Sequence, residues 1–334
     1  DAKIEEVGMS DKHAAAALVP NVRKEILTKF MEPDNKYGYF HAILPVAGLI
    51  FTFFYAAHAP MWQALFLVPL IGWIFYRIYF PLHDCCHYGL VKGRKVNIII
   101  GYILAGFLVT PFESFRREHV FHHIHFSTPQ DPGGVDYYLT FKSRREMALF
   151  LLSPLVGGTL WHKLKEYFHK VGDPDSKSTE ETGHKADYVG YISVGLIQIS
   201  VLMLLTNGLS LTELWRYPVF VILPGATIFL FLSRLRMFLE HGSLDYSVFA
   251  YPDNPRKTSR TFISNVFEVL LFSGAGFRYH YEHHLLPGVP SVHLKTVHEK
   301  YILPTIEAED LRPSYFGAVR ELWRNLGHSG APHA

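Results

Sequence analysis

From Tyr37 to Tyr76 the chain carries no Asp, Glu, Lys or Arg. A charge-free run of about 40 residues is long enough for two bilayer crossings at roughly 20 residues each. A soluble domain has no use for such a run. The rest of the composition agrees: 49% of residues are hydrophobic and 15% aromatic, and the mean hydropathy is +0.10. The formal net charge is only +2, so no nucleic acid or other polyanion is expected as a partner. The expected fold is an all-α integral membrane protein.

Four spans are expected, at about 39–57, 61–80, 188–206 and 217–235. His58-Ala59-Pro60 supplies the tight turn between the first two. Segments 96–113 and 262–278 are also apolar. They are read as re-entrant, interfacial or packed inside the fold, because a crossing there would put the histidine clusters described below on opposite sides. Charge sidedness supports the four-span reading. Lys92, Arg94, Lys95, Arg116, Arg117, Arg144, Arg145, Lys163, Lys165, Arg234, Arg236, Arg256, Lys257 and Arg260 fall on one side. The other side has Arg216 alone. By the positive-inside rule the rich side is cytoplasmic, and with four spans both termini lie there. Residues 1–36 form an N-terminal arm with a short amphipathic helix near Val22–Phe30 and no apolar leader. Residues 37–305 form the membrane domain. Residues 306–334 form a soluble tail. Residues 144–170 suit an interfacial helix, and 172–186 an exposed loop. Cys85 and Cys86 are adjacent and diverge on a helix, so no disulfide framework is expected, which fits a reducing compartment.

Three histidine clusters follow the apolar segments. His119, His122 and His123 stand at i, i+3 and i+4, one face of a helix. His280, His283 and His284 repeat that spacing, and His83 with His87 make an i, i+4 pair. The chain holds 20 histidines, yet a twice-repeated triplet beside a pair is not the scatter expected of isolated interfacial imidazoles. Eight imidazoles exceed the three or four ligands of a zinc site, and two ions with four or five ligands each would use them all. Imidazole suits Zn, Cu, Fe and Ni alike. Two irons could reduce O2 and generate an oxidant able to break an unactivated C–H bond. The nearby acids Asp84, Glu118 and Glu282 could orient ligand rings or pair with Arg116, Arg117 and Arg278. Both readings stay open.

The order of these clusters, their placement after apolar spans and the ending His283-His284-Leu285-Leu286-Pro287-Gly288-Val289-Pro290 resemble the membrane fatty-acid desaturase family. The resemblance covers roughly residues 37–305. It implies four transmembrane helices, a cytosolic helical cap holding a di-metal site, and a non-haem di-iron centre. By motif match the ligands are His83, His87, His119, His122, His123, His280, His283 and His284. It further implies O2 as co-substrate, a fatty acyl substrate and two electrons. The three-residue gap in His83–His87 looks like the acyl-lipid and bacterial members. No His-Pro-Gly-Gly haem motif occurs, so the electrons are expected from a separate donor such as ferredoxin or another redox protein. His241, after the fourth span, matches a histidine that the family often places there and is expected as a ninth ligand. A helix cap before Gly242 is its bland alternative.

Desaturation is the leading expectation. Hydroxylation, or oxidative decarboxylation to terminal alkenes, could run on the same scaffold. A membrane metalloprotease, from the resemblance of His83-Asp84-x-x-His87 to a zinc motif, leaves two clusters unused. A metal transporter would place its ligands inside the spans rather than at their charged ends. An acyl tunnel is expected along Phe51, Phe53, Phe54, Trp73, Phe75, Phe229 and Phe231.

Overall fold

The computed structural model describes residues 18–137, 139, 141–162, 165, 187–242, 259–274, 276–305 and 314–328. The loop expected at 172–186 and most of the arm before Leu18 lie outside them. Among the described residues the structure is helical, with a single isolated bridge between Thr261 and Tyr279.

The helices that position the site are α1 (Pro20–Phe30), α2 (Asn35–His58), α3 (Val68–Cys86), α4 (Arg94–Phe107), α5 (Phe112–His125), α6 (Arg144–Leu152), α7 (Tyr188–Leu205), α8 (Leu211–His241), α9 (Val266–Phe272), α10 (His280–Leu285), α11 (Ser291–Val297) and α12 (Tyr315–His328). By length and hydropathy, α2, α7 and α8 could each cross a membrane. Helices α4 and α5 pass the same test together but are bent by 102° at the break between them, as a broken span or a re-entrant loop would be. That makes three candidate spans, or four with the bent pair.

The segment expected as the second span differs. A one-turn helix, Met61–Leu65, comes first, and α3 starts anew at Val68. Pro69 near its start lacks the N–H that would continue an earlier turn. Helix α3 falls below the hydropathy of the other three because Arg77, His83 and Asp84 ride on it.

One core unites α2, α3, α4, α7 and the first half of α8, with Leu49, Phe53, Ile71, Ile78, Leu104 and Phe220 at its centre. Gly38 lets α2 approach closely: an added Cβ would collide with the Leu90 carbonyl in the loop after His87. A second core joins α3, the end of α8, α9 and α12 through Tyr76, Phe238, Phe272 and Tyr315. The indole of Trp73 donates to the Leu270 carbonyl at 3.1 Å, and Tyr76 and Arg77 donate to the Phe272 and Ser273 carbonyls. These bonds satisfy carbonyls at the end of α9 that no further turn could reach. A third core packs α1 against α10 and α11 through Ile26, Leu285, Leu294 and Val297, so the amphipathic N-terminal helix backs the third histidine cluster.

Candidate metal centre

Each histidine cluster is held by its own local device. His83 and His87 end α3, and the loop after them is locked by buried Asn97. The Asn97 Oδ1 accepts from Leu90 N at 3.1 Å and Val91 N at 3.3 Å, and its Nδ2 donates to Val91 O at 2.6 Å. Helix α5 begins without a side-chain cap of its own. Asp187 substitutes, accepting from Glu113 N at 2.8 Å while also capping α7 at Gly190 N, 2.8 Å. One carboxylate thus serves two helix N-termini, where negative charge is favoured. Helix α10 is fully buried from His280 to Leu285.

The structure brings all nine sequence-identified histidines together. His83, His87, His119, His123 and His283 form one set that could hold a metal ion, and His122, His241 and His284 a second. His280 joins the second: its Nε2 lies 2.7 Å from His241 Nε2 and 3.1 Å from His284 Nε2. Each three-histidine helix therefore serves both sets. The i, i+4 pairs His119/His123 and His280/His284 each close to 3.1 Å between Nε2 atoms.

Hydrogen bonding among the rings cannot account for this packing. A neutral imidazole nitrogen offers one proton or one lone pair, never both. Yet His119 Nε2 meets His87 Nε2 at 2.8 Å and His123 Nε2 at 3.1 Å, and His123 Nε2 also meets His283 Nε2 at 3.0 Å. Both ring nitrogens of buried His83 lack any hydrogen-bond partner. Neighbouring nitrogens on an ion with bonds of about 2.1 Å stand roughly 3.0–3.4 Å apart, close to what is seen. A cation receiving lone pairs fits the residues present. Burial, reinforced by the neighbouring imidazoles, pushes His280, His283 and His284 well below the ordinary imidazole pKa. It holds them neutral, the ligating form.

The carboxylate bonded to a cluster imidazole is one the sequence reading passed over. Asp131 Oδ1 lies 2.8 Å from His122 Nδ1, and Tyr137 donates to Asp131 Oδ2 at 2.5 Å. The Tyr137 hydroxyl is also 3.1 Å from His122 Nδ1. A His122 Nδ1–H that donates to Asp131 leaves the Nε2 lone pair facing the cluster. The visible cue was an acid flanked by Gln130 and Pro132 in the loop after α5. Glu240 approaches the cluster without bonding to it: it pairs with Arg236 at 2.7 Å, accepts from Tyr315 at 3.1 Å and lies 3.6 Å from His280 Nδ1, beyond hydrogen-bond reach. Of the acids singled out earlier, Asp84 instead accepts from Ser291 at 2.5 Å. Glu282 accepts from Thr261 and meets His298 Nδ1 at 2.6 Å. Both tie elements together rather than touching a ligand ring. Glu118 is exposed at the rim of a cavity.

That cavity, of about 380 Å³, is lined by His83, His119, His122, His241 and His280 and, farther back along α8, by Phe229, Leu230 and Ser233. Of the aromatic residues expected along a tunnel, Phe229 alone lines it. Phe51 and Phe54 face outward at 72% and 54% exposure.

Comparison with known proteins agrees with this geometry. The sequence profile of the fatty acid desaturase family matches residues 60–316. Over 88% of this chain and 85% of the relative, the chain is 21% identical to a fatty acid desaturase of Bacillus subtilis (strain 168). It is 23% identical to dihydrorhizobitoxine desaturase of Bradyrhizobium elkanii, over 84% of this chain and 79% of that protein. A shorter match, 32% identical over 31% of this chain and 30% of the relative, is to the sn-1 oleoyl-lipid 12-desaturase of Anabaena variabilis.

Proposed function

The chain belongs to the fatty acid desaturase family, and on that premise we propose that it is a di-iron enzyme that desaturates a fatty acyl chain with O2 and two electrons. Membership makes it an oxidoreductase of the membrane with an acyl substrate. The observation that carries the finer reading is the pair of adjoining all-imidazole sets opening on one cavity. Neither set includes a carboxylate or thiolate.

His83, His87, His119, His123 and His283 would hold one iron, and His122, His241, His280 and His284 the other. When bound, the irons supply the O2-derived oxidant for an unactivated C–H bond. The reaction balances as loss of two hydrogens from adjacent carbons. Two electrons from those C–H bonds, two from the donor and two protons from solvent then reduce O2 to two waters. The protein's own part is positional. Asp131 and Tyr137 fix the tautomer of His122, and the Asp84–Ser291 bond ties α3 to α11. The lysine- and arginine-rich side, with the cluster and both termini, is placed in the cytoplasm. There a separate redox protein such as ferredoxin can deliver electrons. The four-span membrane domain with a helical cap over the cluster is part of the same reading.

The test is to purify the protein in detergent and measure iron per chain. The enzyme is then supplied with O2, reduced ferredoxin and acyl substrates, and products are profiled by mass spectrometry. Two irons and a product two mass units lighter support the reading. Addition of oxygen, or loss of CO2, would reassign the outcome to hydroxylation or decarboxylation.

A further inference from the structure

The cavity beside the histidines is not apolar throughout. Along α8 its wall follows every fourth residue, Phe229, Ser233, Met237 and His241, one stripe of the helix. Ser233 therefore stands two turns, about 12 Å, from His241. Thr159, which is 7% exposed, lines the same cavity. The hydroxyls of Thr159 and Ser233 are both buried without a hydrogen-bond partner. A buried hydroxyl left unpaired is destabilising, and nothing in the packing requires a hydroxyl at either place.

The surroundings indicate what completes them. Arg234 also lines the cavity, and its guanidinium donates to Phe150 O at 3.2 Å and Ser153 Oγ at 2.9 Å, holding the segment after α6 against α8. The outer side of that segment is apolar and exposed, with Val156 at 85% and Trp161 at 61%. Such a surface suits the bilayer interface. On that placement the polar side chains Thr159, Ser233 and Arg234 border the level at which the oxygens of an acyl lipid reside.

We propose that Thr159 and Ser233 hydrogen-bond the oxygen-bearing head of the acyl substrate, an ester carbonyl or a carboxylate. By doing so they set the distance from that head to the carbon oxidised at the histidine cluster. The oxidation step rests on the desaturase reading, and the binding of the head does not. The double bond is then counted from the head of the chain and not from its methyl end.

The experiment uses the full-length, metal-loaded protein in detergent, with Thr159→Val, Ser233→Ala and the double variant. Equilibrium binding of octadecanoate and of a dioctadecanoyl glycerophospholipid is measured without O2. Product position is then mapped for saturated chains of different length. Each single substitution is expected to weaken binding roughly three- to tenfold, with melting temperature unchanged or raised. Thr159→Ser and Ser233→Thr, which keep the hydroxyl, should restore affinity. Weakening with octadecanoate alone identifies a carboxylate, and weakening with the phospholipid identifies an ester carbonyl. In the wild type the double bond should stay at one distance from the head, and in the double variant that position should spread. Unchanged affinity for both ligands together with an unchanged product position in the double variant overturns the proposal. A wild type that binds both ligands but makes no unsaturated product refutes the desaturase reading, and the binding measurements still judge the two hydroxyls.

Discussion

His241 at the end of α8 and His280 at the start of α10 face one another with 2.7 Å between their Nε2 atoms, across 39 residues of sequence. A histidine that merely capped α8 would point along the helix axis toward its last carbonyls. This one is 3% exposed and turned into the cluster.

For His241→Ala the expected outcome is a fall in iron from two per chain toward one, with a matching loss of turnover. Elemental analysis beside a single-turnover assay decides it. Two irons and full activity in the variant would return His241 to the role of a cap.

His122→Ala and His284→Ala each remove a ring from the second set, and His284 also lies 3.1 Å from His280. Turnover should drop to background in both while helical content by circular dichroism holds. Activity near the wild-type level in either variant would sink the assignment of that residue.

Asp131 acts through His122 and not on substrate. Asp131→Asn should weaken metal affinity about 10- to 100-fold with acyl binding unchanged. Tyr137→Phe, which removes the 2.5 Å bond to Asp131 but leaves the carboxylate, should cost less. Metal titration under chelator competition separates the two, and equal affinity across the wild type and both variants would refute the role.

Proton linkage gives a further expectation for the metal-free protein. The unfolded chain's imidazoles titrate near 6.5, while His280, His283 and His284 are held well below that when folded. Below about pH 6.5 the unfolded state binds more protons, so stability is lost as pH falls from there toward the folded values. Melting temperature followed from pH 8 to 5 should decline, less steeply in His284→Ala. A flat profile would contradict the linkage.

The histidine spacing was readable because an α-helix has a fixed period: i, i+3 and i+4 must share a face. The division of each triplet between two sets was not readable, since it depends on how α5 and α10 meet. Asp131 lies in an irregular loop, where no periodicity announces which way a side chain turns. The aromatic residues of α2 misled for a related reason. A helix apolar all round carries no amphipathic signal, so outward-facing Phe51 and core-facing Phe53 look alike in sequence. The split near Leu67 had a visible cue in Pro69, but hydropathy averaged over a window conceals a one-turn interruption.

Both histidine sets take a member from α10, His283 in one and His284 in the other. The members outside α10 all precede it in the chain, so neither set is complete until His283 and His284 have been made. A chain truncated before α10 would therefore lack members of both sets at once, leaving neither of the two groups that could hold a metal intact.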